Sequence, residues 1–440
     1  KQGWMGPDWS KPTGDVSYLL DTIIEHIPPA KISDGNLQMR ISSLDYSSYQ
    51  GRIAVGKISR GYLVPGSQVS LIKRDGSIML NTAKEVYLFE GLGKEKTKKP
   101  VRPGEICAVF GMENFDIGDT IADAVNPEGL SHIKVDEPTM SMLFTSNNSP
   151  FFGREGTLVT SRQLRERLFR ETEKNLALKV EETGLSEAFM VLGRGILHLS
   201  ILIETMRREG FELQVGQPKV LLKEINRMNH EPVEVLMVQL PERFAGKVIE
   251  QVAQRKGEIV NIEVKDDRAY LDFRIPSRGI IGLKNLLLTA TEGEAVMAHR
   301  FDSYEPWKGE MLQKRNGSLV AMETGIATSY AIDKLQDRGR FFIFPGEEVY
   351  MGQVIGESRR QDDITVNVTK TKKLTNMRAS GSDDKAVIAP PVRFSLEEAM
   401  EYIAADEYIE ITPKSMRLRK ILLDEIDRKR ARNGEQQHPD

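Results

Sequence analysis

Two stretches of this chain repeat one order of alternating hydrophobic period, and no other feature restricts the fold as much. From Pro138 to about Glu224 the order is strand (TMSMLFT), helix (SRQLRERLFRETEKNL), strand (ALKVEE), strand (EAFMVLG), helix (GILHLSILIETMRREG), strand (FELQV). From Pro232 to Phe301 it recurs as VEVLMVQL, FAGKVIEQVAQRKG, EIVNIEV, AYLDFRI, RGIIGLKNLLLTATEG and EAVMAHRF. Arg194-Gly195-Ile196 aligns with Arg278-Gly279-Ile280, Leu199 with Leu283 and Leu202 with Leu286, an offset of 84 residues (278 − 194). The pattern predicts two β-α-β-β-α-β units of ferredoxin-like type. Arg194 and Arg278 stand near helix starts, where side-chain charge and backbone donors can meet an RNA phosphate. The same Arg-Gly pair also suits an ordinary tight turn.

Before the repeat, apolar residues at 16, 19, 20, 23, 24 and 27 mark one face of a helix that Pro28-Pro29 ends. From Leu37 the period falls to two, in short segments punctuated by Gly and Pro (LQMRISSL, YQGRIAVGKISRGYLVPGSQVSLIKRDGSIML, PGEICAVFGMENFDIGDTI). Such spacing predicts a small antiparallel β-barrel ending near Ser131. Gly51 to Lys57, GRIAVGK, has the spacing of a nucleotide-binding phosphate loop. Ile58 stands where the magnesium-binding hydroxyl belongs, and the β-branched alternation reads as strand. Gly93-Lys94 fails too, with Leu88 at the first glycine position and Glu95 at the hydroxyl position. No Asn-Lys pair is present from which a guanine-reading NKxD could be built. The chain is therefore expected not to bind or hydrolyse GTP by itself. The basic run at 94–99 adds Lys98 and Lys99 as further phosphate-contact candidates, or a solvated loop.

Charge narrows the remaining classes. A net charge of -3 over 440 residues calls for local basic patches if a polyanion is a partner. The single cysteine, Cys107, rules out an internal disulfide framework and points to a reducing compartment, with the cytoplasm as the default. No apolar run has membrane-spanning length, and no signal-peptide pattern opens the sequence. Six histidines (26, 132, 198, 230, 299, 438) never form HxH or HExxH. Asp333, Asp362 and Asp363 have no spacing that favours a metal or acid/base set over a solvated surface.

The last third, from Tyr304, mixes strands and helices. Ser395 and Glu398 make a capping box for the helix LEEAMEYIAADE. Thr412-Pro413 predicts a second helix start, with Leu418, Ile421, Leu422 and Ile426 on one face. From Lys414 to Arg432 there are eight Lys/Arg against three Asp/Glu, which makes Arg417, Arg419 and Lys420 secondary RNA candidates on an otherwise ordinary packing helix. Between these elements lies Thr369–Ser382, TKTKKLTNMRASGS, with four cations and no carboxylate. It lacks an apolar period and reads as a long polar loop. Lys370, Lys372, Lys373 and Arg378 could neutralise an RNA backbone while Asn376 and Ser380 bond sugars or base edges. Charge alone equally allows a solvated run.

Several strings in this chain resemble a known family. GRIAVGKISRGYLVPGSQV and PGEICAVFGMENFDIGDT resemble domain II of the translational GTPases. The two α/β units are similar to domains III and V of elongation factor G, including GQPKV at 216–220 and Glu231-Pro-Val-Glu234, but no domain IV lies between them. NGSLVAMETGIATSYA, LQDRGRFFIFPGEEVYMGQVIGE, KKLTNMRAS and ITPKSMRLRK are similar to the C-terminal domain of the BipA/TypA family.

The resemblance implies a ribosome-associated bacterial GTPase, active in large-subunit assembly and in stress and cold adaptation. Its GTPase domain, which would carry GTP and magnesium, would precede this chain. The start at Lys1 reads as a fragment. The implied fold is multidomain α+β: linker and helix 1–28, β-barrel 29–131, ferredoxin-like sandwiches 132–224 and 225–305, and a mixed α/β C-terminal domain 306–440. In that family the C-terminal loop points toward the acceptor end of the A-site tRNA, so the resemblance makes Lys370, Lys372, Lys373, Asn376, Arg378 and Ser380 the leading RNA contacts. Implied partners are both ribosomal subunits, ribosomal RNA and that tRNA, with the protein acting as a monomer and no cofactor held by this chain. A non-ribosomal protein-binding scaffold and a metal-dependent hydrolase are the competing readings.

Overall fold

The computed structural model describes residues 6, 8, 10–11, 14–28, 33–47, 51–91, 93–131, 137–173, 175, 177–184, 187–311, 316–371 and 388–435. They fall into two compact units, 1–135 with 173–176, and 136–172 with 177–440.

In the first unit the predicted amphipathic segment is a helix, Ser17–His26, with no buried residue. Its sheet has eight antiparallel strands in the order Ile78–Thr82, Gln68–Ile72, Thr120–Ala122, Gln38–Ser47, Gly51–Arg60, Ile106–Phe110, Glu85–Glu90, Gly93–Thr97. The expected closed barrel is corrected here: the two end strands do not pair, and no sheet among the described residues closes on itself. One of the two ends is unsuited to a further ladder. Each is only five residues long and largely exposed, and Gly93–Thr97 alternates Lys94 and Lys96 with Glu95, the charged short edge that resists pairing. Alternating residues of the strands still fill a core that includes Met39, Ile41, Val86, Val109 and Ile121, with a smaller cluster of Ile53, Ala108 and Phe110 apart from it.

GRIAVGK lies within this sheet as the strand Gly51–Arg60. Gly56 is explained by packing: a Cβ there would meet the Arg40 carbonyl oxygen at 2.0 Å, beside the bulge where Ile41 and Ser43 shift register. Gly in a strand interior often marks such a close backbone approach.

In the second unit the two repeats share one strand order. The first runs Lys179–Glu182, Ala188–Gly193, Met140–Ser146, Leu213–Val215, and the second Glu258–Lys265, Arg268–Pro276, Met228–Pro241, Val296–Pro306, antiparallel throughout. Their second helices differ. In the first repeat the helix is continuous, Ile196–Arg208. In the second, a turn at Ser277–Ile280 is separated from Leu283–Ala290 by Gly282, at φ 71°. Gly279 sits within that turn because a Cβ would meet the Arg255 carbonyl oxygen at 2.8 Å.

The first repeat is not a separate sandwich. Its edge strand Leu213–Val215 pairs with Glu407–Ile411 of the C-terminal segment, and the ladder continues through Met416–Lys420, Gln353–Ser358, Ser318–Ala321 and Ile364–Val366 into an eleven-stranded sheet. One core serves both, with Phe144, Leu199 and Ile203 beside Met400, Ile409 and Leu418. The capping box at Ser395 and Glu398 opens the helix Leu396–Tyr402, tied to the first repeat where Ser200 Oγ donates to Glu397 Oε1 at 2.9 Å.

The helix expected from Thr412 is also corrected. Residues 412–415 turn, with Thr412 N–H donating to Ser415 O at 2.9 Å, and Met416–Lys420 returns as a strand. Helix begins only at Glu425, running to Glu435. The spacing of 418, 421 and 422 imitates a helical face, but MRLRK pairs with Glu407–Ile411, whose Glu410 and Glu407 meet Arg417 and Lys420.

Candidate nucleic-acid interface

The base of the basic loop is built by backbone bonds and two side chains. After the strand Ile364–Val366, Thr328 N–H donates to Val368 O at 2.9 Å and Thr328 Oγ1 donates to Lys370 O at 2.7 Å. The same hydroxyl oxygen caps the helix Ser329–Leu335 by accepting Ala331 N–H at 3.1 Å. Glu323 holds the neighbouring residues, accepting Asn367 Nδ2 at 2.9 Å and the Thr369 hydroxyl. On the return side Ile388 packs on the core formed by Leu319, Ile332 and Val368, and Val392 N–H donates to Phe341 O at 2.9 Å. Lys370 is exposed at this base. Lys372, Lys373, Asn376, Arg378 and Ser380 lie outside the described residues.

The other candidates separate by burial. Arg419 and Lys420 are buried. Lys420 Nζ lies 2.7 Å from Asp363, 3.0 Å from Asp406 and 3.0 Å from the fully buried Glu407. Burial would lower the pKa of this ammonium, but Glu407 and Asp363 outweigh it and hold it above the ordinary value. Arg419 donates to Asn148 Oδ1 at 2.7 Å and to the carbonyls of Lys420 and Ile421. Arg417 bridges Glu155 at 3.3 Å and the fully buried Glu410 at 3.4 Å, its guanidinium 5.1 Å from the Phe151 ring centroid. Of these three cations on one strand, Arg417 and Lys420 are counter-ions to internal carboxylates, and Arg419 is held by an amide oxygen and two carbonyls. Asp363, raised above as a surface acid, also accepts Ser318 N–H at 2.8 Å and pairs with Arg432 at 3.0 Å.

Around the same seam, Glu410 accepts Tyr350 Oη at 2.6 Å and Ser149 Oγ at 2.9 Å. Glu212 accepts the N–H groups of Gly153, Glu155 and Gly156 at 2.7 to 2.9 Å. Burial pushes the Glu212 pKa up, and these backbone donors overcome it, so the carboxyl titrates below its usual range.

Arg278 is likewise committed. It bonds Glu231 and the Gly309 carbonyl, and stacks 3.8 Å from the Trp307 centroid. Arg194 is exposed; its carbonyl accepts Thr139 Oγ1 at 2.9 Å and its N–H donates to His198 Nδ1 at 3.3 Å. Burial, then the Arg194 charge, lower the His198 pKa. Lys98 and Lys99 are exposed after the edge strand Gly93–Thr97, with no ion pair to either among the described residues.

Sequence reasoning missed a cavity of about 460 Å³ between the end of helix Ile196–Arg208 and the C-terminal segment, lined by Phe342, Gln353, Met416 and Leu418, with Arg393 and Lys414 at its mouth. Lys414 counted only as part of a charge run, and nothing local marks Arg393 as its neighbour. Among the described residues there is no group of three or more His, Cys, Asp or Glu that could hold a metal ion, and no helix long and apolar enough to cross a membrane.

The chain is similar to known proteins over most of its length. Residues 316–425 match the TypA/BipA C-terminal domain, and residues 228–315 match the elongation factor G C-terminus. The chain is 46% identical over 410 residues to the large ribosomal subunit assembly factor BipA of Synechocystis, covering 92% of this chain and 68% of that one. It is 44% identical over 439 residues to the protein of the same name from Salmonella typhimurium, covering 99% and 72%, and 43% identical over 420 residues to that of Bacillus subtilis, covering 95% and 68%. With fold order, C-terminal strings and near-full-length identity in agreement, the chain belongs to the BipA/TypA family.

Proposed function

We propose that this chain is the ribosome-binding portion of a cytoplasmic BipA-type translational GTPase, acting in large-subunit assembly and in stress or cold adaptation. The observation that carries the reading is 43–46% identity across 92–99% of the chain to proteins named large ribosomal subunit assembly factors. GTP and magnesium belong, in this reading, to a GTPase domain outside these residues. Lys370, Lys372, Lys373, Asn376, Arg378 and Ser380 contact ribosomal RNA and the acceptor end of the A-site tRNA, with exposed Arg194, Lys98 and Lys99 as secondary contacts. The support for the loop is its charge together with a base held by Thr328 and Glu323. Arg278, Arg417, Arg419 and Lys420 serve inside the protein.

Co-sedimentation with ribosomes over a salt series tests this. Replacing Lys372, Lys373 and Arg378 with Ala should weaken binding and make the log–log salt slope shallower by about 2 to 3 units, at roughly 0.7 to 0.9 per phosphate contact. Melting should change by no more than about 0.5 kcal/mol. Equal affinity and slope for wild type and triple variant would end the assignment of the loop.

A further inference from the structure

We propose that the cavity beside helix Ile196–Arg208 is a binding site for one unpaired RNA nucleotide, with the base inside and the phosphate at the mouth. Its volume, about 460 Å³, lies in the roughly 300–1,000 Å³ range of small-ligand sites. The floor is apolar, formed by Phe342, Val354, Met416 and Leu418. Phe342 is fixed edge-on to Phe394 at 4.9 Å and to Tyr402 at 5.5 Å, so the floor is preorganised.

One polar group points to what the floor receives. Gln353 is 3% exposed, lines the cavity and accepts Tyr350 N–H through Oε1 at 3.2 Å; its Nε2 has no acceptor among the described residues. That donor is open to the cavity, where water meets it, and an occupant that displaces the water must supply an acceptor in its place. A purely aliphatic occupant would leave that donor unmet. A base supplies ring nitrogens and carbonyls on a flat apolar body.

The mouth has the complementary chemistry for phosphate. Arg393 and Lys414 are exposed and make no ion pair among the described residues; the Arg393 guanidinium rests 4.8 Å from the Phe344 centroid. Glu347 also lines the cavity, and beyond the Phe344 N–H it accepts, its carboxylate can take ribose hydroxyls. Unpaired bases seated on aromatic side chains beside cations are the common mode of single-strand RNA recognition. This site extends the RNA-binding reading without depending on the basic loop.

The test uses the 440-residue chain, free nucleotides and no ribosome, so its failure and that of ribosome binding are separable. Nucleoside monophosphates are titrated while the methyl resonance of Met416 is followed, with adenosine and inorganic phosphate as controls. Saturable shifts at a Kd on the order of 1 mM are expected. Arg393→Ala/Lys414→Ala should weaken binding about tenfold or more with unchanged melting, because both side chains are exposed and each supplies a charge-assisted bond. Absence of saturable binding would overturn the proposal, as would phosphate alone shifting Met416 as strongly as a nucleotide, or full affinity in the double variant.

Discussion

The guanidinium of Arg278 holds the fully buried carboxylate of Glu231, with Nη2 3.1 Å from Oε1 and Nε on the second oxygen. Lys308 N–H donates to the same Oε1 at 2.8 Å, so the pair ties the start of strand Met228–Pro241 to the chain leaving the repeat. Arg278→Ala would leave that carboxylate buried with one donor, at a cost of about 3 to 5 kcal/mol. Denaturant unfolding should show the loss. Arg278→Lys should recover part of it, since one ammonium cannot reproduce both bonds and the stack on Trp307. A change below about 1 kcal/mol would return Arg278 to the surface candidates.

Two carboxylates should give opposite pH signatures. Glu212 titrates below its ordinary value of 4.5, so its contribution is complete above about that pH and is lost as pH falls through the depressed value. Glu401 is raised, chiefly by burial, against the Gly282 N–H that favours its ionised form. Its ionisation therefore destabilises the fold as pH rises through 4.5 and beyond the raised value. Glu401→Gln should raise stability at pH 7 by up to about 1 kcal/mol. The gain should vanish at acid pH, where wild type is protonated in both states. Melting curves across pH 3 to 8 check both; a gain independent of pH would refute the burial argument.

Thr328 should matter through its hydroxyl alone. Thr328→Val removes the helix cap and the bond to Lys370 O, for a loss of about 1 kcal/mol or somewhat more. Thr328→Ser, which retains the oxygen, should be close to wild type by thermal unfolding. A loss in Thr328→Ser with Thr328→Val close to wild type would instead assign the effect to the methyl group.

Cys107 is a core thiol, 3.7 Å from Met39 Sδ, and burial pushes its pKa up to about 12. Alkylation at pH 8 should be far slower than for a free thiol, because almost no thiolate forms. The rate should rise in parallel with unfolding of the 1–135 unit in urea. Rapid labelling of the native protein would contradict the described packing.

Much of the architecture is legible along the chain because period and turn chemistry are local. The β-α-β-β-α-β order needs only the switch between periods of two and 3.6, and it reappears as one strand order in both repeats. The capping box at Ser395 is complete within four residues. GRIAVGK reads as strand because Ile58 and its β-branched neighbours are adjacent.

What tertiary structure decided depends on partners far away in sequence. Closure of the first sheet turns on whether two short edges, only one of them charged, meet, and alternation is the same in an open sheet and a barrel. The fusion of the first repeat with the C-terminal strands rests on the pairing of Leu213, Gln214 and Val215 with Ile411, Glu410 and Ile409. Arg417, Arg419 and Lys420 looked like a basic helical face because local charge carries no record of Glu155, Asn148 or Asp363. A cation's role follows from whether a carboxylate or water meets it, and for these three the fold brings internal acceptors together. At Arg393 and Lys414 it instead leaves two cations beside one cavity.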